Sequence, residues 1–142
     1  MKRITIILLI ILFIPFITYA ETCAEQHGLR AMGLIVDGPT NIIEGEIKGS
    51  YIGIDVKSNS TLTLGTNDGN INTNSPIAYG IGYNGIGIQI GTDGTVNYYD
   101  GIIKATRTID LIIDGTITNI PTGYTINKET VDGVHVASLV LE

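Results

Sequence analysis

The sequence predicts an all-β protein: a short right-handed parallel β-helix closed by a C-terminal antiparallel hairpin, after an N-terminal signal-peptide helix. Three observations predict it. The composition is rich in Gly (18 of 142 residues) and in Ile, Thr and Asn, with no Trp. Ile and Thr favour strands, while Gly and Asn favour tight turns. A phrase of acid, Gly, polar residue and β-branched residue recurs at Glu44–Ile47, Asp68–Ile71, Asp93–Val96 and Asp114–Ile117. Finally, Thr130 to Val136 alternates about Asp132-Gly133, the two-residue signal of a hairpin.

Residues 1–20 have the three parts of a cleavable signal peptide. Lys2 and Arg3 supply the positive start, Ile4 to Ile17 the apolar run, and Thr18-Tyr19-Ala20 the small residues before cleavage. The apolar run is shorter than the ~20 residues a membrane-spanning helix needs, and Pro15 interrupts it near its end. The expectation is therefore export, to the medium or the cell surface, with no stable membrane anchor after cleavage. An uncleaved anchor is the alternative. Cys23 is the only cysteine, so no internal disulfide is available. Its neighbours Ala20 and Thr22 fit a lipidation site poorly. Residues 21–40 are expected to form an N-terminal cap or a frayed segment.

Loss of residues 1–20 removes two cations and no acid, taking the formal charge from −6 to −8. That balance argues against nucleic acid and anionic lipid as partners, since both need clustered Lys and Arg.

Residues 41–123 carry the repeats. The phrase glycines, Gly45, Gly69, Gly94 and Gly115, recur at nearly even steps. Such steps, with several short strands in each, are expected of a solenoid. A strand this short cannot bury its face alone, whereas stacked turns bury a continuous core. Equivalent corners would place Ile47, Ile71, Val96 and Ile117 in one inward column. Tyr51–Val56, Ser75–Tyr79 and Asp100–Ala105 would form a further face. The expectation is two or three strands per turn and about four or five turns. The alternative is an antiparallel sandwich, whose strands also recur at short spacing. Ile120-Pro121-Thr122-Gly123 breaks the register, and residues 124–142 form the hairpin cap.

The phrases LTLGTNDGNINTNSPI, VNYYDGIIKAT and DGTITNIPTGYTI resemble those of adhesin-like, repeat-bearing secreted and surface proteins of Gram-positive gut bacteria, with pectate-lyase-like β-helical regions. The resemblance covers Ser60 to the C-terminus. It implies an adhesive or structural role on a surface. Such proteins carry more repeats and a C-terminal anchor, whereas this sequence ends Leu139-Val140-Leu141-Glu142. A free module or a piece of a longer product is expected.

Two residue sets are candidates for chemistry. Tyr79, Tyr83, Tyr98 and Tyr99 fall within one coil's length and would form a ligand platform, since exposed Tyr beside Asn and Asp stacks on sugar rings. Strand alternation turns one of Tyr98 and Tyr99 inward. The densest charged set is Asp100, Lys104, Arg107 and Asp110. A lyase would hold Ca²⁺ with clustered carboxylates and use Arg or Lys as base. However, Asp before Gly is turn chemistry, and Lys and Arg suit a solvent face. Gly80–Gly85 only loosely matches a dinucleotide loop, and His27 and His135 lie far apart. No cofactor, metal or catalytic residue is expected. The reading is a non-enzymatic module binding carbohydrate or a host surface protein, with end-to-end self-association as a further expectation. The alternative is a small polysaccharide lyase or hydrolase, or a fragment of one.

Overall fold

The computed structural model describes residues 32–71 and 75–142. The expected signal peptide and most of the expected N-terminal cap lie outside the described residues. These residues form β1 (Met32–Val36), β2 (Pro39–Ile42), β3 (Glu46–Gly49), β4 (Ile52–Val56), β5 (Thr61–Leu64), β6 (Ile77–Gly80), β7 (Ile86–Ile90), β8 (Thr95–Tyr98) and β9 (Ile102–Ala105). A 3₁₀ turn at Ile109–Leu111 precedes the short β10 (Ile113–Asp114), and the hairpin strands β11 (Tyr124–Val131) and β12 (Val134–Leu141) follow. No helix among the described residues is long and apolar enough to cross a membrane.

From β1 to β7, each strand pairs in parallel with the third strand after it. Three sheets result. The first is β1-β4-β7-β10, the second β2-β5-β8, and the third begins β3-β6-β9. In the third sheet β12 takes the next place beside β9, running antiparallel, with β11 outside it. This parallel pairing excludes the antiparallel sandwich.

Short strands hold because like residues stack on like. Leu34, Ile54, Ile88 and Ile113 form one file in the first sheet. Thr40, Leu62 and Val96 form another in the second, beside Ile42, Leu64 and Tyr98. Ile47, Ala78 and Ile103 line the third. Ile54, Leu62, Ile88, Val96, Tyr98 and Ile103 are fully buried. Burying such a side chain stabilises the fold by about 1.5–3 kcal/mol each. The intervening residues of the second sheet, Thr61, Thr63, Thr95 and Asn97, are half-buried, in the alternation a pleated strand requires.

The four-residue column expected from the acid-glycine phrases is not formed. Ile47 stacks on Ala78, Val96 stacks on Leu62, and Ile71 lies beyond the end of β5. The phrases mark corners, but of two kinds. Glu44-Gly45 and Asp68-Gly69 lie between the second and third sheets, while Asp93-Gly94 follows β7 and Asp114-Gly115 spans the end of β10, both strands of the first. Both kinds need one residue in the left-handed region, met by Gly45, Gly69 and Gly115 and by Asp93 itself. A shared turn requirement thus produces the same phrase at non-equivalent places. The true spacing is less regular: Leu34, Ile54, Ile88 and Ile113 stack, and the middle step is clearly longer than the other two. Among the described residues, three rounds of three strands are complete, where four or five turns are expected from the sequence. The stacking also begins at Met32, so β1 and the start of β2 occupy part of the segment expected to cap or fray.

The corner between the third and first sheets is tight enough to fix residue type. A Cβ on Gly53 would lie 2.5 Å from the Gly87 carbonyl oxygen and 2.7 Å from the Tyr79 nitrogen. A Cβ on Gly33 would meet the Gly53 and Lys48 carbonyl oxygens at 2.6 Å. These obstacles are backbone, so only a residue without Cβ fits.

The hairpin turns at Asp132-Gly133, with φ of 50° and 80°. This is the left-handed pair a type I′ turn requires. Ala137 and Leu139 of β12 enter the core, and Ile126 of β11 packs against it.

Candidate functional site

The expected tyrosine platform is dispersed over the molecule. Tyr79 lies on the outer face of the third sheet, between Lys48 and Lys104 in register, with the Lys104 ammonium 5.7 Å from its ring centre. Tyr83 sits in the 81–85 connection, 95% exposed. Thr106 ties that connection down: its hydroxyl accepts from the Gly85 N–H (3.0 Å) and contacts the Gly82 carbonyl.

Tyr98 belongs to the core. It is fully buried at the end of β8 and donates its hydroxyl proton to the Gly101 carbonyl at 2.8 Å, with the Ala137 carbonyl also in reach at 3.2 Å. Burial, and then the negative charge of Asp100, push its phenol well above the ordinary tyrosine range. Tyr99, one residue on, points the other way and remains half-buried at the surface.

The charged set is also divided. Asp100 is buried in the corner after β8, where its Oδ1 accepts the Gly101 N–H at 2.6 Å. It fills the space over Gly65, whose Cβ would lie 2.5 Å from that of Asp100. Lys104 stands on the outer face of the third sheet, Arg107 is exposed in the next connection, and Asp110 is exposed in the 3₁₀ turn. Asp100 is thus a corner residue, and the four do not form one face. Among the described residues, no group of three or more His, Cys, Asp or Glu is placed to hold a metal ion.

The structure instead forms a groove of about 420 Å³ against the corner between the second and third sheets. One rim is the connection from β5 to β6, contributing Asn67, Gly69 and Ile71. Tyr99 forms part of the floor, and the segment from Asn119 through Tyr124 forms the far wall.

Each wall is pinned by local bonds. The Asp68 carboxylate accepts from the Asn70 N–H and from the Thr66 hydroxyl, both at 2.9 Å, which shapes the rim on either side of it. The Asn70 N–H foremost, and then the Thr66 hydroxyl, hold this carboxyl below the usual carboxylate range. The far wall is strapped to β8: the Tyr98 N–H donates to the Asn119 carbonyl (2.9 Å) and the Thr118 N–H to that of Val96 (3.0 Å). A side-chain ladder runs along the outside of the second sheet. Asn97 Nδ2 donates to Thr63 Oγ1 at 3.0 Å, and Asn119 Nδ2 donates to Asn97 Oδ1 at 2.7 Å. One N–H of the Asn119 amide is used, which orients the remainder of that amide beside the groove.

Among the described residues, the groove lining contains phenols, amides, a hydroxyl and aliphatic groups, and no carboxylate, amine or imidazole. Such a surface suits binding by stacking and hydrogen bonding. Of the residues singled out from sequence, only Tyr99 lines it. Asn67, Asn119 and Tyr124 were missed because two stand in apparent turn phrases and the third opens the hairpin. The Asn- and Gly-rich stretch after Leu64 marked a connection, but not what it would face. Comparisons with protein-family models, curated proteins and solved structures found no match.

Proposed function

We propose that the chain is an exported, non-enzymatic module with an adhesive or structural role, whose described part is a short right-handed parallel β-helix displaying a binding surface to a glycan or a host surface protein. The observation that carries this reading is the pairing of every third strand through three rounds. It makes a rigid stack whose faces and corners are available for recognition while the aliphatic residues remain inside. The export part rests on the charged start, apolar run and small residues of positions 1–20. The dispersal of Asp100, Lys104, Arg107 and Asp110 weighs against the polysaccharide-active alternative, which needs them together.

The test starts from the full chain expressed in a bacterial host with its own N-terminus. The product recovered outside the cytoplasm is expected to begin after Ala20 and to adhere to immobilised glycans or host surface proteins without degrading soluble polysaccharides. Turnover of a polysaccharide, with no adherence to any coated surface, would overturn the proposal.

A further inference from the structure

We infer that the groove between the β5–β6 connection and the Asn119–Tyr124 segment is a binding site for a neutral saccharide, with Tyr99 and Tyr124 as stacking surfaces and Asn67 and Asn119 as hydrogen-bonding groups. This rests on the reading of the chain as a binding module and names the ligand class at one place on it.

Three features on the same corner lead there. The first is chemical. Sugar rings present apolar C–H faces and a rim of hydroxyls. Two phenols with flanking amides match both, since an aromatic ring takes the face and an amide both donates and accepts. The second is electrostatic. Among the described residues the lining carries no charged side chain, and the neighbouring Asp68 carboxylate is directed into its own turn by Thr66 and Asn70. No cation stands among those lining residues to pair with an acidic sugar, and the chain carries a formal charge of −6, so a uronate is disfavoured. The third is preorganisation. Asn119 is held by Asn97 and its backbone by Tyr98, while the turn before Tyr124 is closed by its own N–H to the Pro121 carbonyl at 3.2 Å. A site held in shape before the ligand arrives loses less entropy on binding. At about 420 Å³ the groove lies within the usual range for small-molecule sites.

The decisive experiment titrates the exported form with cellohexaose, xylohexaose and mannohexaose, and with a galacturonic acid hexamer for comparison. Intrinsic tyrosine fluorescence is the readout, available because the chain has no Trp. At least one neutral hexamer is expected to bind saturably and independently of salt, and the acidic hexamer to bind more weakly. Tyr124→Ala and Tyr99→Ala should each weaken that binding about tenfold, Tyr124→Phe should largely restore it, and Tyr83→Ala on the distant connection should leave it unchanged. Asn67→Ala, in the exposed rim, serves as the groove variant should Tyr99→Ala fail to fold. Saturable binding that ignores all three groove substitutions overturns the site while leaving the module reading intact. Preference for the acidic hexamer overturns the ligand class, and no binding of any neutral hexamer overturns the inference whole. Adherence to coated surfaces is scored separately, so failure of the module reading registers there and not here.

Discussion

Two corners of the same stack differ in how evenly they are crowded. Where the third sheet turns into the first, backbone meets backbone, and Gly53 is required because carbonyl and amide atoms occupy the space of a Cβ. Where the second sheet turns into the third, crowding is local: Gly65 and Gly101 are hemmed in by Asp100 and Pro76, while Gly45 and Gly69 have nothing within 4 Å of a would-be Cβ. That connection runs over 43–45 in the first round and 99–101 in the third, and it is longest in the second, where its described part includes 65–71. The long one supplies the groove's rim through Asn67, Gly69 and Ile71. The backbone around Gly33 and Gly53 leaves no space for a side chain there, while the long connection brings Asn67 beside Tyr99 and Asn119 from places far apart in sequence. The difference teaches that in this stack of short strands a groove opens beside the longest connection. Tyr98 and Tyr99 stand at that boundary, one ring in the core and the next in the groove.

Breaking the boundary from the inside should have the largest effect. Tyr98→Ala removes a fully buried ring and is expected to destabilise the fold by about 3–5 kcal/mol in urea denaturation, with little folded protein remaining. Gly53→Ala tests the tight corner directly. Its obstacles are backbone atoms, so a cost of about 3 kcal/mol is expected by the same measurement.

Tyr98→Phe keeps the ring but deprives the Gly101 and Ala137 carbonyls of their donor, at a cost of about 1–2 kcal/mol. It should also change the response to alkali. The folded-state pKa of Tyr98 lies above the ordinary value of 10.0, so its contribution is complete below that pH and declines as the unfolded chain ionises first. Stability of the parent should therefore fall above the ordinary value with a slope approaching about 1.4 kcal/mol per pH unit from this group. The Phe variant should lose that component, and equal alkaline slopes in the two proteins would contradict the assignment.

Gly69→Ala sharpens the comparison with Gly53. Nothing lies within 4 Å of its would-be Cβ, and the only penalty is its φ of +85°, worth about 1 kcal/mol. Two glycines in one chain are thus required for different reasons, and a measured cost at Gly69 equal to that at Gly53 would erase the distinction. The smallest effect concerns Asp68. Its folded-state pKa lies below the ordinary 3.8, so the rim is supported above that pH and loosens as acid protonates the folded carboxyl. Protection of the Asn70 amide, the intrinsic exchange rate at each pH divided by the observed one, should fall in acid in the parent, while Asp68→Asn should flatten that dependence.

Much of the architecture was legible because strand chemistry is local. Alternation in Thr61–Leu64 and Thr95–Tyr98 gave inward and outward residues, and Asp132-Gly133 identified the hairpin, since both depend only on neighbours in sequence. The three-sheet register was not legible. Leu62-Thr63-Leu64 and Ile88-Gln89-Ile90 share one apolar–polar–apolar pattern followed by Gly, yet they belong to the second and first sheets. Any corner that follows an apolar strand asks for the same Gly and Asx residues, so similarity of phrase does not report equivalence of place. The candidate site was legible only at Tyr99. Asn67 and Tyr124 acquire meaning from lining one groove from two distant stretches of chain, a relation no local pattern carries. The charged set failed for the complementary reason: its closeness in sequence runs around a corner, which sends Asp100 inward and Lys104 onto an outer face.

The unequal steps between stacked residues carry a wider implication. The rounds from Leu34 to Ile54, from Ile54 to Ile88 and from Ile88 to Ile113 differ in length yet share one core, so the aliphatic files do not register how much chain is looped out between them. Doubling the length of a flexible excursion costs only about 0.6 kcal/mol. Insertions at the corner between the second and third sheets can therefore enlarge or reshape the groove there, leaving the interior as it was. The outline of that edge can thus change by splicing length into it, with no need to redesign the fold.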